Sequence, residues 1–188
     1  MATTPKANDA LYASPEFVGY SLWLVPDGEA HDVLHDVVRE YAARLQTPPF
    51  LPHITLLGAV TEMTEAAATE TTQRIAERLR AMDLEISVVA SKELLYFQCV
   101  FALIKKDDEL SSAHGIAKEL FDRRQEPDFM PHLSLVYGDL GEQQRQDLKR
   151  ELGPRIDGMR LHISSLQLWN TSGPVKNWAM VADLPLRS

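Results

Sequence analysis

The chain has 188 residues, 45% of them hydrophobic and 24% charged, and 19 Lys plus Arg against 27 Asp plus Glu leave it a formal charge of −8. That length suits one compact unit, and the composition excludes a disordered chain. The acidic balance argues against gripping nucleic acid by its backbone, and the single cysteine, Cys99, rules out an intramolecular disulfide. No apolar run approaches the roughly 20 residues of a membrane span, and the N-terminal stretch lacks the apolar core of a secretory signal. The expectation is a soluble, cytoplasmic, monomeric protein with no membrane contact and no stable nucleic-acid complex.

Residues 1–16 are polar and unpatterned and read as a loose tail, with a single bilobal domain over 17–188. Phe17 to Val25 is an apolar strand closed by the turn Pro26-Asp27-Gly28. Val33, Leu34, Val37, Val38, Tyr41 and Leu45 recur at helical spacing, which predicts a helix from about Glu29 to Leu45. Thr47-Pro48-Pro49 breaks it. His53 to Val60 is a short strand, and a second helix runs from about Glu65 to Met82. Leu84–Ala90 and Leu94–Ile104 read as paired strands. Leu110, Ala113, Ala117, Leu120 and Phe121 mark a third helix. His132–Tyr137 is a strand and Glu142–Leu152 a polar helix, stopped at Gly153-Pro154. A strand over Arg160–Trp169, a loop at Asn170–Pro174 and a closing strand over Trp178–Asp183 complete the chain. This order lacks the strict alternation of a doubly wound parallel sheet. It predicts an α+β fold of two duplicated halves, with antiparallel or mixed sheets and outer helices around a central cleft.

The duplication is visible in the residues. Pro52-His53-Ile54-Thr55-Leu56-Leu57 and Pro131-His132-Leu133-Ser134-Leu135-Val136 share the pattern Pro, His, aliphatic, Thr or Ser, Leu, aliphatic, 79 positions apart. On a strand, residues two apart share a face, so His53 neighbours Thr55 and His132 neighbours Ser134. Ile54, Leu56, Leu133 and Leu135 then face the core. If the halves pack about a pseudo-twofold axis, two imidazoles and two hydroxyls converge in one cleft. A base and an acid titrating near neutrality can cleave a phosphodiester without a metal or other cofactor. The hydroxyls and nearby backbone N–H groups would hold the phosphate oxygens. A strained cyclic phosphate suits such a site, because only one leaving oxygen must be protonated.

The paired motif is the signature of the two-histidine phosphoesterase superfamily. Within it the chain resembles the plant and fungal cyclic phosphodiesterases. The resemblance is carried by Tyr20–Pro26, Tyr96–Phe101, Met130–Tyr137 and Thr171–Trp178, and spans about Phe17 to Leu186. It implies hydrolysis of ADP-ribose 1″,2″-cyclic phosphate to the 1″-phosphate, the clean-up step after tRNA splicing, and of nucleoside 2′,3′-cyclic phosphates to 2′-phosphates. By that resemblance His53 and His132 are the acid–base pair, Thr55 and Ser134 hold phosphate oxygens, and Trp23 and Tyr137 line the pocket. His132 is expected to activate water and His53 to protonate the leaving oxygen. The plant proteins contain disulfides that a chain with Cys99 alone cannot form.

Other residues carry plainer expectations. His31 and His35 have the i, i+4 spacing of a metal pair, but Asp32 stands where a zinc protease needs Glu, so they read as solvated helix residues. His114, His162, Trp169 and Trp178 read as surface or packing residues, and Cys99 as a small buried hydrophobe. Tyr137 lies three positions beyond Ser134, on the wrong face unless the strand is irregular there. Two other functions remain open: processing of RNA ends, as in 2′-5′ ligase-like relatives, and nucleotide binding without turnover.

Overall fold

A tight backbone crossing at Gly19 sets the entry to the first strand. Gly19 has φ +93°, and a Cβ there would stand 2.2 Å from the Val60 carbonyl oxygen, so only glycine fits. The computed structural model describes residues 17–93, 95–125 and 128–188; the tail expected over residues 1–16 and Leu94, at the head of an expected strand, lie outside the described residues. The elements are β1 (Tyr20–Leu24), α1 (Gly28–Leu45), β2 (Ile54–Val60), α2 (Glu65–Ala76), β3 (Met82–Ser91), β4 (Val100–Ile104), α3 (Asp108–Leu120), β5 (His132–Val136), α4 (Glu142–Ile156), β6 (Arg160–Ile163), β7 (Ser165–Asn170) and β8 (Ala179–Pro185). Among the described residues, no helix is long and apolar enough to cross a membrane.

Four elements depart most from the bounds the sequence pattern suggests. The second helix stops at Ala76, because Met82, Leu84 and Ile86 bury every second side chain and the backbone N–H of Ala81 already bonds the Arg187 carbonyl. The strand expected from Leu94 begins only at Val100, after a 3₁₀ turn at Tyr96–Gln98. The last helix runs through Gly153-Pro154 to Ile156; the proline sacrifices one helical hydrogen bond, while Leu152 and Ile156 are buried in the core. The single strand expected over Arg160–Trp169 is broken at Ser164 into β6 and β7.

The strands form one eight-stranded sheet in the order β6-β3-β4-β5-β2-β1-β7-β8, with every pairing between named strands antiparallel. The sheets of the two halves meet edge to edge at β2 and β5, so the cleft lies along a hydrogen-bonded seam. Since Ser164 alone joins β6, at one end of the order, to β7, near the other, the sheet must curl until its ends come close.

The symmetry is legible in the register. Ile54 pairs with Leu133, and these occupy equivalent positions of the two motifs. β1-α1-β2 in one half corresponds to β4-α3-β5 in the other. Each crossover helix packs on the opposite half: α1 on β5 and β6, α3 on β2. Ile54, Leu56, Leu133 and Leu135 are all at most 1% exposed, inside the main core. At about 1.5–3 kcal/mol for each buried large aliphatic side chain, those four residues fix the strand face and register.

Candidate active site

Core burial on one strand face leaves the other face to the cleft. His53, Thr55, His132, Ser134, Trp23 and Tyr137 all line a single cavity of about 150 Å³. The six residues singled out from the sequence are thus brought together.

Each imidazole is fixed in the same way. Nδ1 of His53 lies 2.6 Å from the carbonyl oxygen of Leu51, and Nδ1 of His132 lies 2.9 Å from that of Met130. A carbonyl only accepts, so each Nδ1 donates, and Nε2 is left as the titrating nitrogen. The partner is two residues upstream in both halves, just before the strand begins.

The environments of the two rings differ. Trp23 stacks flat on His53, with centroids 3.5 Å apart and planes 8° from parallel. Trp169 stacks in turn on Trp23 at 4.4 Å. Phe101, which opposes Ser134 as Trp23 opposes Thr55, meets His132 edge-on at 5.3 Å. Burial pushes the proton affinity of His53 down, to a pKa of about 3, with a smaller contribution from His132 and opposed by the Leu51 carbonyl. Burial lowers that of His132 as well, helped by Lys92 and opposed by the Met130 carbonyl. Both rings are therefore neutral at pH 7 in the free protein.

The hydroxyls are arranged around this pair. Ser134 Oγ donates to the carbonyl of Phe97 at 2.7 Å. Burial pushes the Tyr137 phenol well above its ordinary range, so it stays protonated. Ser21 and Thr171 are bonded through their hydroxyls at 3.0 Å, and Thr171 Oγ1 also lies 3.0 Å from the Gly19 carbonyl, to which it donates.

The face problem at Tyr137 has a structural answer. Phe101 pairs with Ser134, and the next residue back, Val100, pairs with Val136, which leaves Leu135 as an extra residue in β5. This bulge turns Tyr137 back into the cavity. The same shift occurs in β2: Trp23 pairs with Thr55 and Leu22 with Leu57, and the extra residue is Leu56. It brings Gly58, the counterpart of Tyr137, to the cavity wall.

Ser21, Phe17, Phe97, Gln98, Thr171 and Trp178 also line the cavity, and no function was assigned to them from the sequence. Trp178, expected to be a packing residue, forms part of this wall. Ser21 had a signal, because it stands two positions before Trp23 in a strand. Phe97 and Gln98 lie in a segment that carries the family resemblance, but periodicity offered no signal there, since the pattern reads as strand. His114 is instead stacked on Phe129 at 4.1 Å, and Cys99 is buried as expected.

Relatives agree with this architecture. The profile of the family described as cyclic phosphodiesterase-like protein matches residues 18–186. A protein of Arabidopsis thaliana named cyclic phosphodiesterase is 27% identical over 169 residues, covering 87% of this chain and 92% of its own length. Among solved structures, Escherichia coli LigT complexed with 3′-AMP is similar with a TM-score of 0.57 at 12% identity, covering 93% of this chain and 100% of that one. TT0787 of Thermus thermophilus is similar with a TM-score of 0.58 at 16% identity, covering 90% and 98%. With a two-histidine cleft in a duplicated, curled sheet, and a family match across almost its whole length, this chain belongs to the cyclic phosphodiesterase-like family of two-histidine phosphoesterases.

Proposed function

We propose that the protein hydrolyses ribose cyclic phosphates, ADP-ribose 1″,2″-cyclic phosphate and nucleoside 2′,3′-cyclic phosphates, without a metal, using His53 and His132 as its proton-transfer pair. The observation that carries this reading is the matched pair of imidazoles on one cavity wall, each with Nδ1 tied to a backbone carbonyl and Nε2 free to exchange a proton.

In a 2′,3′-cyclic substrate, the oxygen of a water attacks phosphorus while Nε2 of His132 takes its proton. The P–O3′ bond breaks, and His53 delivers a proton to O3′, leaving the 2′-phosphate. In the ADP-ribose substrate the P–O2″ bond breaks in the same manner and the 1″-phosphate remains. His53 must be protonated when substrate is bound. The phosphodiester anion supplies the counter-charge that lets a buried imidazole hold that proton. The low proton affinity of the empty site then makes the imidazolium a strong acid toward the leaving alkoxide.

Thr55 and Ser134 would hold the non-bridging oxygens. Ser134 spends its hydrogen on the Phe97 carbonyl in the free protein, so the hydroxyl must rotate to donate to phosphate. Trp23 holds His53 in plane, and Tyr137, with Phe17, Phe97 and Trp178, supplies an aromatic wall for a base or ribose.

Turnover of adenosine 2′,3′-cyclic phosphate and of ADP-ribose 1″,2″-cyclic phosphate in excess EDTA tests the proposal. One monophosphate isomer from each is the expected product. Turnover confined to oligonucleotides with cyclic ends would replace it with RNA-end processing. Retention of unchanged ligand would replace it with nucleotide binding.

A further inference from the structure

The internal symmetry is broken at one position that matters to the cleft. Tyr137 fills its side with a ring stacked on Phe50 at 3.6 Å and edge-on to Phe97 at 5.0 Å. Its counterpart, Gly58, contributes no side chain. The glycine is not there for backbone reasons, since its φ is not in the left-handed region. A Cβ would also make only ordinary contacts, 3.5 Å from Thr55 Cγ2 and 3.7 Å from Ser21 Oγ. What Gly58 provides is space.

That space borders two volumes. Thr55, Gly58, Gln98 and His132 line both the 150 Å³ cavity and a second, more open chamber of about 370 Å³. Lys92, His114, Asp128 and Phe129 line only the second. Between them, Gln98 Oε1 is buried with no hydrogen-bond partner among the described residues. A buried acceptor left open costs stability and suits a ligand donor such as a ribose hydroxyl.

Resting on the function proposed above, we infer that the chamber opened by Gly58 receives a phosphate-bearing substituent on the far side of the substrate ribose, with Lys92 as its partner. Two chambers meeting at the reacting phosphate match a ribose substituted in two directions. The base lies against the aromatic wall and a 5′-phosphate lies in the second chamber. Asp128 lines this chamber too, so it has no large net positive field. Lys92 acts at hydrogen-bonding range, and the expected gain is about tenfold, the scale of one good charged contact. Gly58 and Lys92 are therefore specificity-determining residues rather than proton-transfer groups.

The test uses two substrates that differ only in a 5′-phosphate, adenosine 2′,3′-cyclic phosphate and 5′-phosphoadenosine 2′,3′-cyclic phosphate. Wild type should favour the phosphorylated one about tenfold in kcat/KM. That ratio should fall to within about threefold of unity in Lys92→Gln and Gly58→Val, and return in Lys92→Arg. Using the ratio cancels any effect of Lys92 on His132 that both substrates share. In parallel, calorimetry of adenosine 2′,5′-bisphosphate against adenosine 2′-phosphate reads the chamber without turnover, and the same tenfold preference is expected. A wild-type ratio near one in both measurements, or a ratio that survives both substitutions, overturns the inference. Hydrolysis of neither substrate together with the expected binding preference overturns only the hydrolytic reading.

Discussion

The indole of Trp23 covers one whole face of the His53 ring, at 3.5 Å and 8° from parallel, whereas Phe101 meets the His132 ring edge-on. Equivalent positions of the duplicated fold thus give the two imidazoles unequal access to water. Removing the indole should undo this. In Trp23→Ala, with burial the main cause of the low pKa, the His53 pKa should rise from about 3 toward the ordinary imidazole range. NMR titration of the ring C–H resonances reads it. An unmoved His53 would show that the indole is not what keeps water away.

The pH dependence follows with a definite sign. The base must be neutral and the acid protonated, and both proton affinities are lowered in the free protein. The profile of kcat/KM should therefore be a bell whose centre lies on the acid side of the ordinary imidazole value of about 6.5. On its alkaline side activity falls as pH rises, because the proton donor is lost. Rates measured from pH 4 to 8 check this.

Stability moves the other way. Above about pH 6.5, His53 is neutral both folded and unfolded. As pH falls below that, the unfolded chain takes up a proton that the folded one refuses until about pH 3. Between pH 6.5 and 4.5 this costs on the order of 2–3 kcal/mol at about 1.4 kcal/mol per unit. Urea unfolding should show that loss in wild type and a smaller one in His53→Asn.

Thr55 and Ser134 are equivalent hydroxyls, and the chemistry asks only for the hydroxyl. Thr55→Val and Ser134→Ala should each lower kcat by about 10²-fold, the usual effect of losing one donor to a developing oxyanion. Thr55→Ser and Ser134→Thr, which exchange the two motifs' residues, should stay within about tenfold of wild type. Equal losses in both kinds of variant would point to packing rather than phosphate contact.

Much of this site was legible in the sequence because a strand has a period of two and the motif occurs twice. Pro52–Leu57 and Pro131–Val136 define a cleft face and a core face without any structure. The bulges at Leu56 and Leu135 were not legible, since an extra residue in a strand leaves no mark on an apolar run. They decide that Tyr137 and Gly58 face the cleft. Nor could periodicity reveal the turn at Tyr96–Gln98, whose Phe97 and Gln98 line the cavity instead of continuing a strand. The joining of both halves into one curled sheet rests on the Ile54–Leu133 pairing, which lies far apart in sequence. Pro154 shows tertiary burial overriding a local stop signal.

Phosphorus NMR of adenosine 2′,3′-cyclic phosphate turnover in EDTA by wild type, His53→Ala, His132→Ala and the double variant tests the two-histidine chemistry itself. Wild type should give one monophosphate isomer. Each single variant should be slower by at least about 10³-fold, and the double variant little worse than either, because the two rings act as one unit. Turnover within about tenfold of wild type by either single variant would contradict it.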